Sequence, residues 1–387
     1  MANLEKLNAT DLDALIALID EVFTEENGKP MDFRNRFPRV FKPDDEKLGW
    51  YYGIKENGEL HGTAGLHPFP YRVLENTLKV GQVGNVAVSP KCRGRGFMQT
   101  ILNKICEDME KDGYDMAYLH GERKRYRTFG FERCGIEYVF TMTQSLPRAL
   151  KLPDEFNFVD MRAASPEDVA EAIAIAKSRV HNFERIDGEY LDSFTAHEAE
   201  PLLVKNALGE TVGYLCYSPL TNMVIELGLK NPADCALVSV SLLNYLKIDS
   251  LQITFAEYEN ELIGSAMTVC RRYEVVQSGN FKILNFGRVL ETFMNAKASY
   301  APLLDGAITL DTELFGRWRV EVRDGKSSAT RTDAEADLYV EGYKVYPLLF
   351  GPTSPYAAGV DMSGLGPESG RLIQSWFPVP LYCENFS

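Results

Sequence analysis

Apolar residues along the chain recur in two rhythms. Spacings of three and four mark helices, and short β-branched or alternating runs mark strands. Leu12, Leu15, Ile16, Ile19, Val22 and Phe23 form one stripe, which predicts an amphipathic first helix. Thr10 is its expected N-cap, with Asp13 three residues on in an Asp version of the capping box. Residues 24–48 read as irregular and carry Glu25, Glu26, Phe33, Phe37 and Phe41. Strands are expected over 50–54 and 60–66, joined at Asn57-Gly58, a strong hairpin signal. Residues 83–88 form a β-branched run that reads as a buried strand stopped by Pro90. Phe97, Ile101, Leu102, Ile105, Cys106 and Met109 return to the helical spacing, so a helix opens near Arg95 and Gly113 closes it. Residues 115–120 are the next strand.

The second half begins after a Pro-containing linker expected at 146–158. Ser165-Pro166 opens a helix that runs on through 169–180. Residues 202–214 read as a hairpin that echoes 54–62. A strand over 223–227 and a helix over 235–246 follow. The order of elements repeats that of the first half, so an internal duplication is expected. Residues 228–232 offer no glycine-rich basic turn, so this copy is expected to pack rather than to hold an anion. The last segment has a helix from Gly287, alternating strands at 307–310, 317–322 and 336–340, a turn at Asp324-Gly325 and a helix over 343–350 closed by Gly351. The domains expected are 1–148, 149–282 and 283–387.

Composition narrows the partners. The 387 residues carry a formal net charge of −14, which argues against nucleic acid or an anionic membrane as main partner and suits a cationic one. No apolar run approaches the roughly 20 residues of a membrane helix, and the first residues lack a signal-peptide pattern. The seven cysteines are scattered without a C-x-x-C pair, so reduced thiols in a cytoplasmic protein are expected, and no metal site.

The chemistry concentrates at 83–98. A strand, a glycine turn and a helix start together make an anion site, because the first helical amides lack internal partners and carry partial positive charge. Gly94 and Gly96 allow close approach of a bulky anion, and Lys91, Arg93 and Arg95 add charge. A Walker loop and a dinucleotide fingerprint are both absent here. The pattern V-x-V-x-P-x-x-R-G-x-G resembles the acetyl-CoA loop of the GNAT superfamily of N-acetyltransferases, [QR]-x-x-G-x-[GA]. Lys91 stands where Gln or Arg is usual, which leaves that contact to Arg93. Tyr126-Arg127-Thr128-Phe129-Gly130-Phe131 matches a second GNAT pattern, Y-x-x-F-G-[FY], at the usual distance, so the resemblance spans residues 3 to about 145.

With its second copy and its last domain, the chain is similar to the Eis family (enhanced intracellular survival proteins). That resemblance implies an α+β chain: a catalytic GNAT domain, a degenerate GNAT-like domain and a sterol-carrier-protein-like α/β domain. It implies a cytoplasmic, hexameric N-acetyltransferase that uses acetyl-CoA as cosubstrate and no metal, in a family known for acetylating aminoglycosides. Carried over by position, Val86, Ala87 and Val88 would hold the acetyl and pantetheine arm, and Arg93, Gly94, Arg95, Gly96, Phe97 and Met98 the pyrophosphate. Gly121 and Glu122 would flank the arm. Tyr126 falls on the general acid, and the terminal carboxylate, here of Ser387, on the general base; the family usually ends in a bulkier residue. The Val88 amide is the expected oxyanion donor. His67 and His120 are read either as proton relays or as structural. Aminoglycoside, peptide lysine, polyamine and small metabolite all stay open as acceptors, and a non-catalytic acyl-CoA or lipid-binding protein is the alternative function.

Overall fold

The structure, a computed structural model, describes residues 2–384. Strand β1 (Asn3–Lys6) leads into helix α1 (Leu12–Asn27). Its cap differs from the expected Thr10. The Asn8 side chain accepts from the Thr10 backbone N–H, and Asp11 accepts from the Asn8 N–H. A short 3-10 turn at Ala9–Asp11 moves the reciprocal cap upstream. The region read as irregular holds two short turns, Phe33–Arg36 and Asp45–Leu48, whose Phe33, Phe37 and Phe41 pack with α1 and Tyr51.

Strands β2 (Tyr51–Glu56) and β3 (Glu59–Val73) meet at Asn57 and Gly58, both at positive φ, 51° and 83°, the conformation a two-residue hairpin needs. Strand β3 runs well past the expected end, and β4 (Asn76–Val88) starts well before its expected start. Pro68 and Pro70 hid this stretch. They lie between the parts of β3 that pair with β2 and with residues 181–183, where a missing N–H interrupts no second ladder. Then come α2 (Phe97–Lys111), β5 (Met116–Leu119), short turns at Arg123–Tyr126 and Arg127–Phe129, β6 (Glu132–Cys134) and β7 (Glu137–Thr143).

The second half has β8 (Asn157–Asp160), α3 (Pro166–Ser178), β9 (His181–Phe183), β10 (Glu200–Lys205), β11 (Thr211–Ser218), β12 (Met223–Leu229), α4 (Cys235–Leu246), β13 (Ser250–Ala256), α5 (Asn260–Met267), β14 (Cys270–Val276) and β15 (Gly279–Ile283). The expected linker contains a helical turn, Ser145–Leu150, and the start of β8. The last part has α6 (Phe286–Ala298), β16 (Gly306–Thr312), β17 (Gly316–Arg323), β18 (Lys326–Arg331), β19 (Leu338–Val340), α7 (Val345–Phe350) and α8 (Pro367–Trp376). The fold is α+β with three sheets.

The first sheet runs β1-β2-β3-β4-β5-β15-β6, and the second, read from its other edge, runs β8-β10-β11-β12-β13-β7-β14. Each has one parallel pair on this path, β4 with β5 and β12 with β13. The two sheets therefore share one order, and each takes its sixth strand from the other half of the chain. Strand β7 leaves the first half to pair with β13 and β14. Strand β15 returns between β5 and β6. The halves interlock. The third sheet, β18-β17-β16-β19, shares one hydrophobic core with the first: Phe69, Tyr118 and Phe281 lie in the same cluster as Phe293, Leu310 and Trp376.

Residues 377–384 are docked on this frame. Phe377, Val379, Leu381, Tyr382 and Cys383 are buried, the Ile136 N–H donates to the Leu381 carbonyl at 2.8 Å, and Tyr118 Oη donates to the Glu384 carbonyl at 2.8 Å. The Glu384 carboxylate sits in a buried ion network. It accepts from Arg179 and is 2.8 Å from His181 Nε2, and Arg179 also reaches Glu226 and Glu259 at 3.3 Å. Burial raises the Glu384 pKa, but Arg179, His181 and Arg185 outweigh it and hold the value down at about 2. A carboxylate with a lowered folded-state pKa contributes stability that is present above its unfolded value and lost as pH falls through the folded one. We therefore expect melting temperature to fall between about pH 4.5 and pH 2 less steeply in Glu384→Gln than in the native protein. Arg179→Met should lose about 3–5 kcal/mol at neutral pH, because it leaves buried carboxylates unpaired. Denaturant melts across that pH range check both; parallel pH profiles for native and Glu384→Gln would remove Glu384 from the account.

Candidate active site

The first sheet opens where its parallel ladder stops. Strands β4 and β5 pair at Val80–Met116, Gly81–Ala117 and Gln82–Tyr118 and no further, although β4 continues to Val88. On its other side β4 stays paired with β3, through an irregularity between Thr63 and Gly65. There Asn85 takes a positive φ of 52°, and its side chain accepts from Tyr51 Oη at 2.9 Å. Among the described residues, one edge of 83–88 is thus left without a strand partner. An extended chain can add to such an edge through main-chain hydrogen bonds.

A cleft of about 960 Å³ lies along this edge. Val86 and Val88 line it; Ala87 points to the opposite face and packs with α1, as strand alternation requires. Ser89-Pro90 turns the chain into a 3-10 turn at Pro90–Cys92, and Gly94 and Gly96 follow at φ 80° and 77°. The left-handed backbone at these two positions explains the glycines. Gly96 is the N-cap of α2, which has no side-chain cap bond and no acid in its first turn. Arg93, Gly94, Gly96, Phe97, Met98 and Gln99 all line the cleft. Free helical amides, a positive helix end and two side-chain-free positions therefore face one space, which is what a pyrophosphate requires.

The two arginine side chains of the turn are already engaged. Arg93 Nη2 is 2.6 Å from Glu25, which with Glu26 lies on α1 at the opposite wall. Arg95 pairs with Glu56 at 2.5 Å and lies over the Phe97 ring, away from the cleft wall. Both pairs are exposed, where water weakens them, so Arg93 is able to exchange Glu25 for a phosphate.

The other expected residues sit at the end of β5. Tyr126 is buried, and its ring packs on Gly121, where a Cβ would fall 2.6 Å from the ring. Burial raises its pKa, with Arg125 opposing, so the phenol keeps its proton at neutral pH. Its neighbours Arg125, Thr128 and Phe129 line the cleft. Glu122 is exposed, and its carbonyl accepts from the Arg125 and Tyr126 amides. Gly121 is held from the exchanged strand: Asn280 Nδ2 donates to its carbonyl at 3.0 Å. Asn280 carries no motif, and only the strand exchange brings it here. His120 keeps some surface in contact with solvent, but desolvation of its ring lowers its pKa, and Arg133 adds to the shift. His67 is sealed off; burial, with Arg39 and Lys47, pushes its pKa down to about 3, which makes it a poor proton acceptor. Ser387 lies outside the described residues. Among the described residues no acid, histidine and cysteine group suits a metal ion, and no helix is long and apolar enough to cross a membrane. None of the seven cysteines is in a disulfide.

The model of the acetyltransferase (GNAT) domain matches residues 3–134. Residues 3–134 are a GNAT acetyltransferase domain. The match makes the chain an acetyltransferase enzyme, and GNAT domains take acetyl-CoA as acyl donor. No curated protein matches the chain. Solved structures share its fold over nearly the whole length. A GCN5-related N-acetyltransferase from Kribbella flavida is 17% identical, with a TM-score of 0.67 and 99% of this chain and 97% of that chain covered. A conserved protein from Enterococcus faecalis V583, described as a probable N-acyltransferase, is also 17% identical at a TM-score of 0.67, with both chains covered in full, 100% each. Eis1 from Mycobacterium abscessus is 15% identical at a TM-score of 0.64, with 98% of this chain and 99% of that chain covered. The GNAT domain thus owns the splayed strands, the glycine turn and the helix start described above.

Gly96→Val forces a side chain into the left-handed region and into the cleft, and Arg93→Glu reverses a charge there. Each should weaken CoA binding by tenfold or more in titration calorimetry. Native affinity in both would move the pyrophosphate away from this turn.

Proposed function

We propose that this acetyltransferase moves the acetyl group of acetyl-CoA to a primary amine of a cationic acceptor, of lysine, polyamine or aminoglycoside type, by direct attack in a ternary complex. The observation that carries the reading is the unpaired edge of 83–88 running into the uncapped start of α2. The edge suits the pantetheine arm, with Val86, Ala87 and Val88 contributing backbone groups and Gly121 and Glu122 flanking it. The turn and helix start, with Arg93, Gly94, Arg95, Gly96, Phe97 and Met98, suit the pyrophosphate. The net charge of −14 supports a cationic acceptor.

In the reaction the neutral amine nitrogen bonds to the thioester carbon and the C–S bond breaks. Negative charge gathers on the carbonyl oxygen, for which the Val88 amide is the donor in this reading. Tyr126 gives its proton to the departing sulfur; its raised pKa supports this role by keeping it protonated. Bond formation makes the nitrogen cationic; its extra proton goes to the carboxylate of Ser387, and Tyr126 regains its own proton from solvent as that carboxyl gives one up. Support for that base is the docking of Glu384, three residues earlier, on Tyr118 at the last rung of the β4–β5 ladder. Three residues span at most about 10 Å, a short reach from that rung. Hexameric assembly and a sterol-carrier-like last domain belong to the same reading, by resemblance.

Release of free CoA thiol on mixing acetyl-CoA with a panel of primary amines tests the function. CoA binding without release from any amine would favour a non-catalytic carrier. Tyr126→Phe removes only the proton donor, and kcat should fall on the order of 100-fold with acetyl-CoA affinity kept; unchanged turnover would dismiss the assignment. A Gly-Ser extension after Ser387 moves the carboxylate and should lower turnover by about tenfold or more, while the same extension at Met1 has no effect. Equal activity in both would direct the search for the base to His120 and Glu122.

A further inference from the structure

Arg39 is a buried cation with no counter-ion among the described residues. It is only 5% exposed, and its Nε and Nη2 are buried without a hydrogen-bond partner. Among the described residues it forms no ion pair. Its guanidinium carbon lies over the Phe183 ring, 4.8 Å from the ring centre, and a ring face satisfies none of these N–H groups in the plane of the fork. Glu189 lies near enough to act on it electrostatically, but Glu189 is held by Lys47 at 2.6 Å. Lys42 is likewise matched by Asp192 at 2.5 Å. Arg39 alone in this group lacks its anion, and a charge buried that way is costly unless something binds it.

Its neighbours place Arg39 near the end of the β4–β5 ladder. Arg39 interacts electrostatically with Tyr51, Tyr118 and His67. Tyr51 holds Asn85, where β4 kinks, and Tyr118 faces Gln82 at the last rung before β4 and β5 part. Arg39 is thus beside the closed end of the splay, whereas Arg93 and Gly96 stand at its other end. Two further polar groups lie without partners on β3, the strand paired with β4. Both ring nitrogens of His67, opposite Gln82, are buried and unbonded, and so is Thr63 Oγ1, opposite Ala87. His67 is neutral there, so it offers one N–H and one lone pair and does not add to the charge.

We infer that the acceptor carries a carboxylate as well as its amine, and that Arg39 is the residue that recognises it. The inference rests on the acyl-transfer reading above and narrows its acceptor to a zwitterionic amine of the lysine type. The guanidinium fork matches a carboxylate in two parallel bonds. A polyamine or an aminoglycoside brings only more positive charge to a cation that already lacks an anion, so Arg39 selects against both.

The test compares amines that differ only in the carboxylate. Thiol release from acetyl-CoA is followed with ω-aminocarboxylates of two to six carbons, with lysine, and with the unsubstituted alkylamines of matching length. Spermidine and an aminoglycoside complete the panel. The native enzyme should prefer at least one carboxylate-bearing amine over its matched alkylamine by tenfold or more in kcat/KM, the scale of a charged hydrogen-bonded pair. Arg39→Gln should abolish that preference mainly through KM, and Arg39→Lys should restore part of it. Should Arg39→Gln not fold, the native preference and the Arg39→Lys variant decide. Turnover of alkylamines or polycations equal to or above that of every carboxylate-bearing amine overturns the inference and leaves acyl transfer standing. An equal loss with all amines in Arg39→Gln, at unchanged KM, also overturns it, since Arg39 would then act on the protein. If CoA binds and no amine in the panel releases thiol, the inference falls together with the acyl-transfer reading, and native CoA affinity shows that the fault is not in the anion site.

Discussion

The premature end of one parallel ladder governs the structure. Beyond Gln82 and Tyr118 the strands β4 and β5 diverge, and a buried strand with an open edge is unstable unless something else completes it. The bulge at Asn85, pinned by Tyr51, turns the strand so that this edge faces a cleft rather than the core. The same divergence sets the start of α2 at the far end of the gap. The site is consequently not a pocket added to a finished sheet. It is the place where the sheet leaves its hydrogen bonding undone.

How much of this is legible in the residues follows from whether the signal is local. The run at 83–88, Pro90, the glycines at 94 and 96 and the stripe of α2 all lie within thirty or so residues, and each reports a local constraint. The hairpin at Asn57-Gly58 and the helix Cys235–Leu246 were legible for the same reason. The thirty-residue span of β3 and β4 was not, because Pro68 and Pro70 read as breakers while the sheet tolerates them beside an unpaired edge. The strand exchange left no trace at all. Strands β7 and β15 are ordinary strands in composition, and which sheet a strand joins is a long-range choice that no local pattern records. Asn280 went unseen for that reason: it reaches the Gly121 carbonyl only because β15 crosses into the first sheet.

The exchange has a mechanical consequence. Because β7 and β15 each complete the other half's sheet, neither half can shed its partner without losing an internal strand. The tail adds a third tie. Glu384 is fastened to Arg179 and His181 from the second half and, through its carbonyl, to Tyr118 in the first. A buried network of this kind gives little net stability, since desolvation offsets most of its Coulomb energy, but it fixes one arrangement. Precision is what an acyl-transfer site needs, where a misplacement of about 1 Å is costly. The network, the exchange and the shared core with the third sheet thus converge on the same few residues at the end of the ladder.

The second half shows which part of the site is specific to function. Its sheet has the same order, and its parallel ladder is also short, with only Met223–Gln252 and Val224–Ile253 paired although β12 runs on to Leu229. The splay itself is therefore common to both halves. The helix start is not. Where the first half has Gly94, Gly96 and an uncapped helix, the second has Asn231-Pro232-Ala233-Asp234. The Asn231 side chain accepts from the Ala233 N–H, Ser265 Oγ accepts from the Ala236 N–H, and an acid, Asp234, is the N-cap residue of the helix. Donors free in one copy are consumed in the other, and an acid stands where an anion would have to bind. A diverging strand pair is thus compatible with a purely structural domain. It is the uncapped start of α2, and the glycines before it, that separate the GNAT domain from the second half.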